Sequence, residues 1–153
     1  MYQNPLSDIE MIFGAFTNLF VLGWACLFIS VVTRTSSRLR HCLLMIGGRI
    51  VPLALLSMFV VGWLLTRDLP GDITTLNGVL LGFTVPEKVI LAWFEILGLA
   101  LIVGHWMILD GIDLGVPKPV VAISLVGAFF AVAIGLIAYL LMTRAFSLRA
   151  AST

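Results

Sequence analysis

Residues 86–110 read PEKVILAWFEILGLALIVGHWMILD. Nearly all of this run is apolar, and as a helix it is long enough to cross the roughly 30 Å hydrocarbon core of a bilayer. Within it stand Glu95 near the middle, His105 near the far end, and the tryptophans Trp93 and Trp106. A carboxyl inside such a helix is costly, so it needs a partner or a purpose.

The rest of the chain has the same character. Of its 153 residues 61% are hydrophobic and 11% charged, and the mean hydropathy is +1.14. A water-soluble domain of this length needs far more polar surface. One membrane-embedded domain over residues 1–153 is therefore expected. The net charge of +1 leaves no basic surface for nucleic acid. Two cysteines, Cys26 and Cys42, give neither a disulfide framework nor metal-ligand spacing and read as packing residues. The first ten residues hold no Lys or Arg but do hold Asp8 and Glu10. That is not a secretory signal, so the first apolar run reads as a retained membrane helix.

Four segments reach the necessary length: residues 11–33, 43–66, 87–109 and 119–142. They predict an all-α membrane protein, a compact bundle of four transmembrane helices. Arg34, Arg38, Arg40 and His41 form a basic loop after the first. Pro52 predicts a modest kink in the second. Pro117 and Pro119 bracket Lys118 and mark the turn into the fourth, with Arg144 and Arg149 in a polar tail. The connection LPGDITTLNGVLLGFTVP, residues 69–86, is too broken to span and too apolar to be fully solvated. It either rests against the membrane interface or closes over a ligand. With four crossings, Arg67, Lys88, Arg144 and Arg149 fall on one side and Arg34, Arg38, Arg40 and Lys118 on the other. The count ties. The arginines after the first helix favour a cytoplasmic first loop, with both termini outside.

Depth along the helices sorts the polar groups. Glu95, Asn18 and Ser57 all fall about 5 Å from the midplane by helical rise. They are expected to form one polar layer inside the bundle. Arg49 and His105 fall about 8–10 Å towards the opposite side, with Asp110 just beyond. An Arg49–Asp110 ion pair beside His105 is expected there. Glu95 and Trp106 are three turns apart and share a face. Glu95 either ties helices together as a neutral acid or serves as a proton donor or anchor for a polar ligand end. His105 is either a packing residue or a single axial ligand. His41, read as lying in a loop, cannot complete a bis-histidine site with it. Trp24, Trp63, Trp93 and Trp106 read as an interfacial belt or as the walls of an aromatic groove. No metal-binding, phosphate-loop or nucleophile motif is present, which leaves hydrolase, ATPase and di-iron readings poor.

Gly104, Trp106 and Asp110, followed by Gly115 and Pro117, give G-x-W-x-x-x-D-x-x-x-x-G-x-P. With Ala92-Trp93 upstream and Gly135-Leu136 and Tyr139 downstream, the chain resembles the ABA-deficient-four-like family. Asn18-Leu19, Trp24 and Pro52-Leu53-Ala54-Leu55 extend the resemblance over nearly the whole chain. The family comprises small four-helix membrane proteins of plants, cyanobacteria and other bacteria. Its plant members are linked to forming neoxanthin from violaxanthin. The chain departs from that pattern at Glu95, where the family commonly has His, at Ala100 (Asp) and at His105 (Arg). It departs again at Val132-Ala133, where the family has Gly-Pro.

The resemblance implies a multi-pass protein of a bacterial inner or photosynthetic membrane, with carotenoid as its ligand. Since the third helix has lost the family's polar set, a non-catalytic accessory subunit is expected. It would pack within a larger membrane complex, photosynthetic or otherwise, in contact with lipid and other subunits. Glu95, Trp93, Trp106 and His105 are its candidate ligand-binding residues. The alternative is a carotenoid-modifying enzyme, a xanthophyll epoxide isomerase in which Glu95 delivers the proton. A transporter ranks last, since no inverted pair of broken helices is legible.

Overall fold

The computed structural model describes residues 5–33, 37–72 and 74–150, with side chains from Glu10 to Ala145 within those ranges. Arg34 and the side chain of Arg149, placed above in the basic loop and polar tail, lie outside them. Among the described residues the regular structure is helical, with no strand.

The first helix, α1, runs Pro5–Val32. The second rod, Arg38–Leu65, is continuous and is built of three pieces. These are α2 (Arg38–Met45), a π-helical turn (Ile46–Ile50) and α3 (Val51–Leu65). His41 thus lies on a helix rather than in a loop. The π turn ends where Val51 N–H donates to the Ile46 carbonyl, one residue before Pro52. Pro52 has no N–H to offer, and the wider turn absorbs the mismatch that a straight α-helix would leave. The turn also buries two glycines against neighbouring helices. Gly47 meets the α1 backbone at Gly23, and Gly48 lies under the His105 ring, where a Cβ would collide.

A short helix, α4 (Leu76–Gly82), follows, then α5 (Pro86–Asp113). The latter is 28 residues long, about 42 Å by helical rise. It ends in a glycine cap. Gly115 takes φ +65°, its N–H reaches the Ile112 carbonyl, and Val116 N–H reaches that of Gly111. Three helices, Glu10–Val32, Arg38–Leu65 and Pro86–Asp113, are long and apolar enough to cross a membrane.

The segment read as one helix over residues 119–142 is two. Helix α6 (Lys118–Phe130) stops at Ala131, whose backbone is extended, and α7 (Val132–Ala150) folds back along it. Gly135 lies against the backbone of Ala128, and Tyr139 comes level with Val121 and Gly111, so the pair is antiparallel. At 13 residues, α6 is about 20 Å long, too short to span. Nothing in FFAVA is a local breaker. Tertiary packing fixes the break: Phe129 stacks 6.0 Å from Phe20 and meets Trp24 edge-on at 5.6 Å, and Gly127 and Gly135 allow the close return.

Trp24 is 1% exposed in the centre of that aromatic cluster, not in an interfacial belt. Leu27, Leu55, Leu101, Met107 and Leu125 complete a core shared by α1, α3, α5 and α6.

Candidate functional site

Along the first half of α5, Lys88, Ala92 and Glu95 recur at i, i+4 and i+7 and therefore share a face. Opposite them α3 presents Phe59, Val60, Trp63 and Leu64. Between the two lies a groove of about 480 Å³. Ala92 keeps its middle open. Phe59 and Trp63 form a tilted aromatic pair 6.1 Å apart on one wall. Glu95 is half-buried, about two helical turns beyond Lys88 along the groove, and has no hydrogen bond or ion pair among the described residues.

The mouth is built by the α3–α5 connection. Lys88 Nζ lies 5.7 Å from the centre of the Trp63 ring. It donates to the carbonyls of Leu69 at 2.9 Å and Gly71 at 2.5 Å. The lysine thus ties the connection down over Trp63. Asp72 Oδ1 accepts from Thr74 N–H at 2.8 Å, the Thr74 hydroxyl at 2.7 Å and Thr75 N–H at 3.0 Å. Those bonds, first the one from the Thr74 side chain, hold the Asp72 carboxyl below its ordinary range. Thr75 Oγ1 then caps α4 by accepting from Gly78 N–H at 3.0 Å. Leu76, Leu80, Leu81 and Phe83 point outwards from α4. A second cavity of about 120 Å³ lies beneath the connection and shares Trp63, Lys88 and Ala92 with the groove. The two adjoin as one trough, largely apolar along its walls, with the Glu95 carboxyl at one end and Lys88 and Asp72 beside the connection at the other.

The four residues singled out as ligand contacts do not converge. Glu95 lines the trough. Trp93, 44% exposed, faces outwards beside it. Trp106 packs edge-on against Tyr139, 5.8 Å between ring centres. His105 sits over Gly48 in a separate pocket of about 150 Å³ with His41, Met45 and Arg49. Both histidines therefore line one pocket, contrary to the placing of His41 in a loop.

Two expected polar groupings are corrected. Asn18 and Ser57 are exposed, so they do not form an interior layer with Glu95. Each lies on the outward side of its helix, a matter of rotation that depth alone does not fix. Asp110 does not pair with Arg49. Its Oδ2 accepts from the Tyr139 hydroxyl at 2.6 Å, which the return of α7 makes possible. Arg49 is exposed and lines the histidine pocket instead. Sequence reasoning missed Lys88, Phe59 and Trp63 as a set. The i, i+4, i+7 spacing through Glu95 was the available signal for Lys88.

A family model described as ABA DEFICIENT 4-like matches residues 11–139. No curated protein and no solved structure matches the chain.

Proposed function

The chain belongs to the ABA DEFICIENT 4-like family, and from that premise we propose that it is a carotenoid-binding accessory subunit of a larger membrane complex. Its membrane is a bacterial inner or photosynthetic membrane. The trough between α3 and α5 receives the end ring of the carotenoid, and the polyene continues along the apolar outer face. The observation that carries this reading is Glu95: a carboxyl without a partner among the described residues, lining a largely apolar groove of about 480 Å³. A xanthophyll end ring offers a hydroxyl that can donate to the carboxyl, which is the partner Glu95 lacks. Apolar walls with one well-placed polar group are the usual make-up of a small-molecule site.

The subunit role draws support from Asn18 and Ser57. Both are exposed at mid-helix depth, where contact with lipid is costly. A neighbouring chain that hydrogen-bonds them removes that cost.

The same proposal places three rods across the bilayer and inserts the α6–α7 hairpin to about half depth, in place of a fourth crossing. Arg38, Arg40, Lys118 and Arg144 then lie at one end of the bundle, and Arg67 and Lys88 at the other. The tie in the four-crossing count disappears. The positive-inside rule puts the first group in the cytoplasm, with the end of α1 at Pro5 outside and that of α7 at Ala150 inside.

The test is purification from the native membrane in mild detergent, followed by an absorption spectrum and a protein inventory of the peak. Co-migration with larger subunits and bound carotenoid in near-stoichiometric amount are expected, with pigment lost in Glu95→Gln. A lone, colourless protein would overturn the proposal. One observation favours a second reading, catalysis: a carboxyl in an apolar groove suits a proton donor. His105 is not its base, since it lies in another pocket. A bound pigment that changes on incubation would select the enzyme.

A further inference from the structure

At the opposite end of the bundle, a cavity of about 200 Å³ lies where α1, α2 and the α5–α6 turn meet. Its polar lining includes two cations, Arg40 and Lys118. Aliphatic residues and glycines such as Val31, Ile108, Gly115 and Val116 make up the remainder, and no carboxylate lines it.

Arg40 is only 5% exposed, yet it has no ion pair among the described residues. Its Nε donates to the Ser30 carbonyl at 3.0 Å. Lys118 Nζ donates to the Thr33 carbonyl at 3.1 Å. Both carbonyls lie at the C-terminal end of α1, Ser30 in its last turn and Thr33 just past it, where free acceptors and the negative end of the helix dipole attract cations. Capping accounts for one N–H on each side chain. A guanidinium has five and an ammonium three, so most of their donors remain. Capping one helix end brings the two cations to the border of the same cavity. A buried charge without a counter-charge costs several kcal/mol, and an anion between the two offsets that cost.

We infer that this cavity binds a phosphate group, bridged by the Arg40 guanidinium and the Lys118 ammonium. The guanidinium fork matches phosphate oxygens geometrically, and the volume admits the group with part of its ester. At this end of the bundle the phosphate is either the diester of an anionic lipid headgroup or a free ion. The site is remote from the Glu95 trough, so its test and that of the proposed function succeed or fail separately.

The experiment uses the full chain in phosphatidylcholine nanodiscs containing phosphatidylglycerol, with bound lipid counted by native mass spectrometry. A parallel thermal shift uses inorganic phosphate in detergent. Retention of phosphatidylglycerol over phosphatidylcholine is expected, falling about tenfold in Arg40→Gln and several-fold in Lys118→Gln, as for the loss of charge-assisted hydrogen bonds. Stabilisation by phosphate without lipid preference would assign the free ion as the source. Absence of both effects, or retention unchanged in the variants, would overturn the inference. Should Arg40→Gln fail to fold, Lys118→Gln decides, because Lys118 is exposed.

Discussion

Two carboxyls on one helix have opposite surroundings. Asp110, near the end of α5, is closed off by Tyr139 at 2.6 Å, with Trp106 stacked edge-on against the same tyrosine. Glu95, four turns earlier, faces an open trough and has no partner among the described residues. Both are ionisable groups in a segment long enough to span, where either one alone is costly. The difference lies in what covers them. The α6–α7 hairpin packs over the far half of α5, whereas the near half is bordered by α1, whose Phe16 packs on Phe94, and on the Glu95 side by the α3 wall and the short α4 connection. A carboxyl with a built partner is holding the fold together. A carboxyl that lines a cavity without a partner is the one the proposed function assigns to a ligand.

The strongest way to break that contrast is to remove the cover from Asp110. A Cβ on Gly135 runs into the backbone of Ala128, which cannot move aside as a side chain does. Gly135→Leu is expected to cost at least about 3 kcal/mol, the upper range for overpacking, and to abolish folded protein in detergent. Gly14→Leu is the control, since nothing lies within 4 Å of a Cβ there. Near-normal yield of Gly135→Leu would mean the hairpin is not the element that seals Asp110.

A milder version tests the bond itself. Tyr139→Phe keeps the ring against Trp106 and removes only the hydroxyl. A loss of about 1–3 kcal/mol is expected, because the carboxyl is left without its donor. Glu95→Gln has no such bond to lose and should stay within about 0.5 kcal/mol of the parent. Thermal unfolding of the three purified proteins in one detergent compares them directly. Equal losses in the two variants would erase the distinction between a structural and a receptive carboxyl.

Ligand binding should show the reverse order. Ala92→Leu fills the middle of the trough, and Glu95→Gln removes its acid. Each is expected to lower bound pigment several-fold to tenfold, and Tyr139→Phe should leave pigment per folded protein unchanged. The absorbance ratio of pigment to protein after purification reads this. Pigment lost in Tyr139→Phe but retained in Ala92→Leu would move the site to the other end of α5.

The helical class and the three long rods were legible because hydrophobic length alone decides them. The pairing of polar groups was not. Depth along a helix follows from residue number, and it placed Asn18, Ser57 and Glu95 at one level. Their rotation about each axis depends on which face meets a neighbour, and two of the three face outwards. The fold-back at Ala131 was hidden for another reason. FFAVA contains no breaker, and the stretch 119–142 has the length and hydropathy of one span. The Gly-Pro of the resembled pattern falls at Val132-Ala133, directly after the break, and this chain turns without those residues. Once α7 returns, Tyr139 reaches Asp110 and Arg144 changes ends. The expected ion pair thus gave way to the Tyr139 bond, and the proposed three-crossing topology departs from the four-crossing charge count for the same reason. The trough was half legible: Glu95 stood out as a costly charge, whereas Lys88 looked like an ordinary flanking cation.

The smallest effect concerns the mouth of the trough, and its sign follows from Asp72. The bonds from Thr74 and Thr75 hold that carboxyl below its ordinary range. A depressed folded value contributes stability that is fully present above the unfolded value, about 3.9, and is lost as pH falls through the folded one. The connection should therefore stay closed at neutral pH and loosen only below about pH 4. Lys88 keeps its charge throughout that range, so its bonds to Leu69 and Gly71 persist and acid frees the α4 end alone. Amide exchange of Thr74 and Thr75, corrected for the intrinsic pH dependence, should lose protection in acid, while Lys88→Met should expose the Leu69–Gly71 end at every pH. Asp72→Asn should flatten the acid response, because an amide oxygen still accepts the bonds but does not titrate. If Thr74 and Thr75 exchange equally at both pH values, the lysine tie alone holds the mouth, and both ends of α5 are then closed by a single side-chain donor, Tyr139 at one and Lys88 at the other.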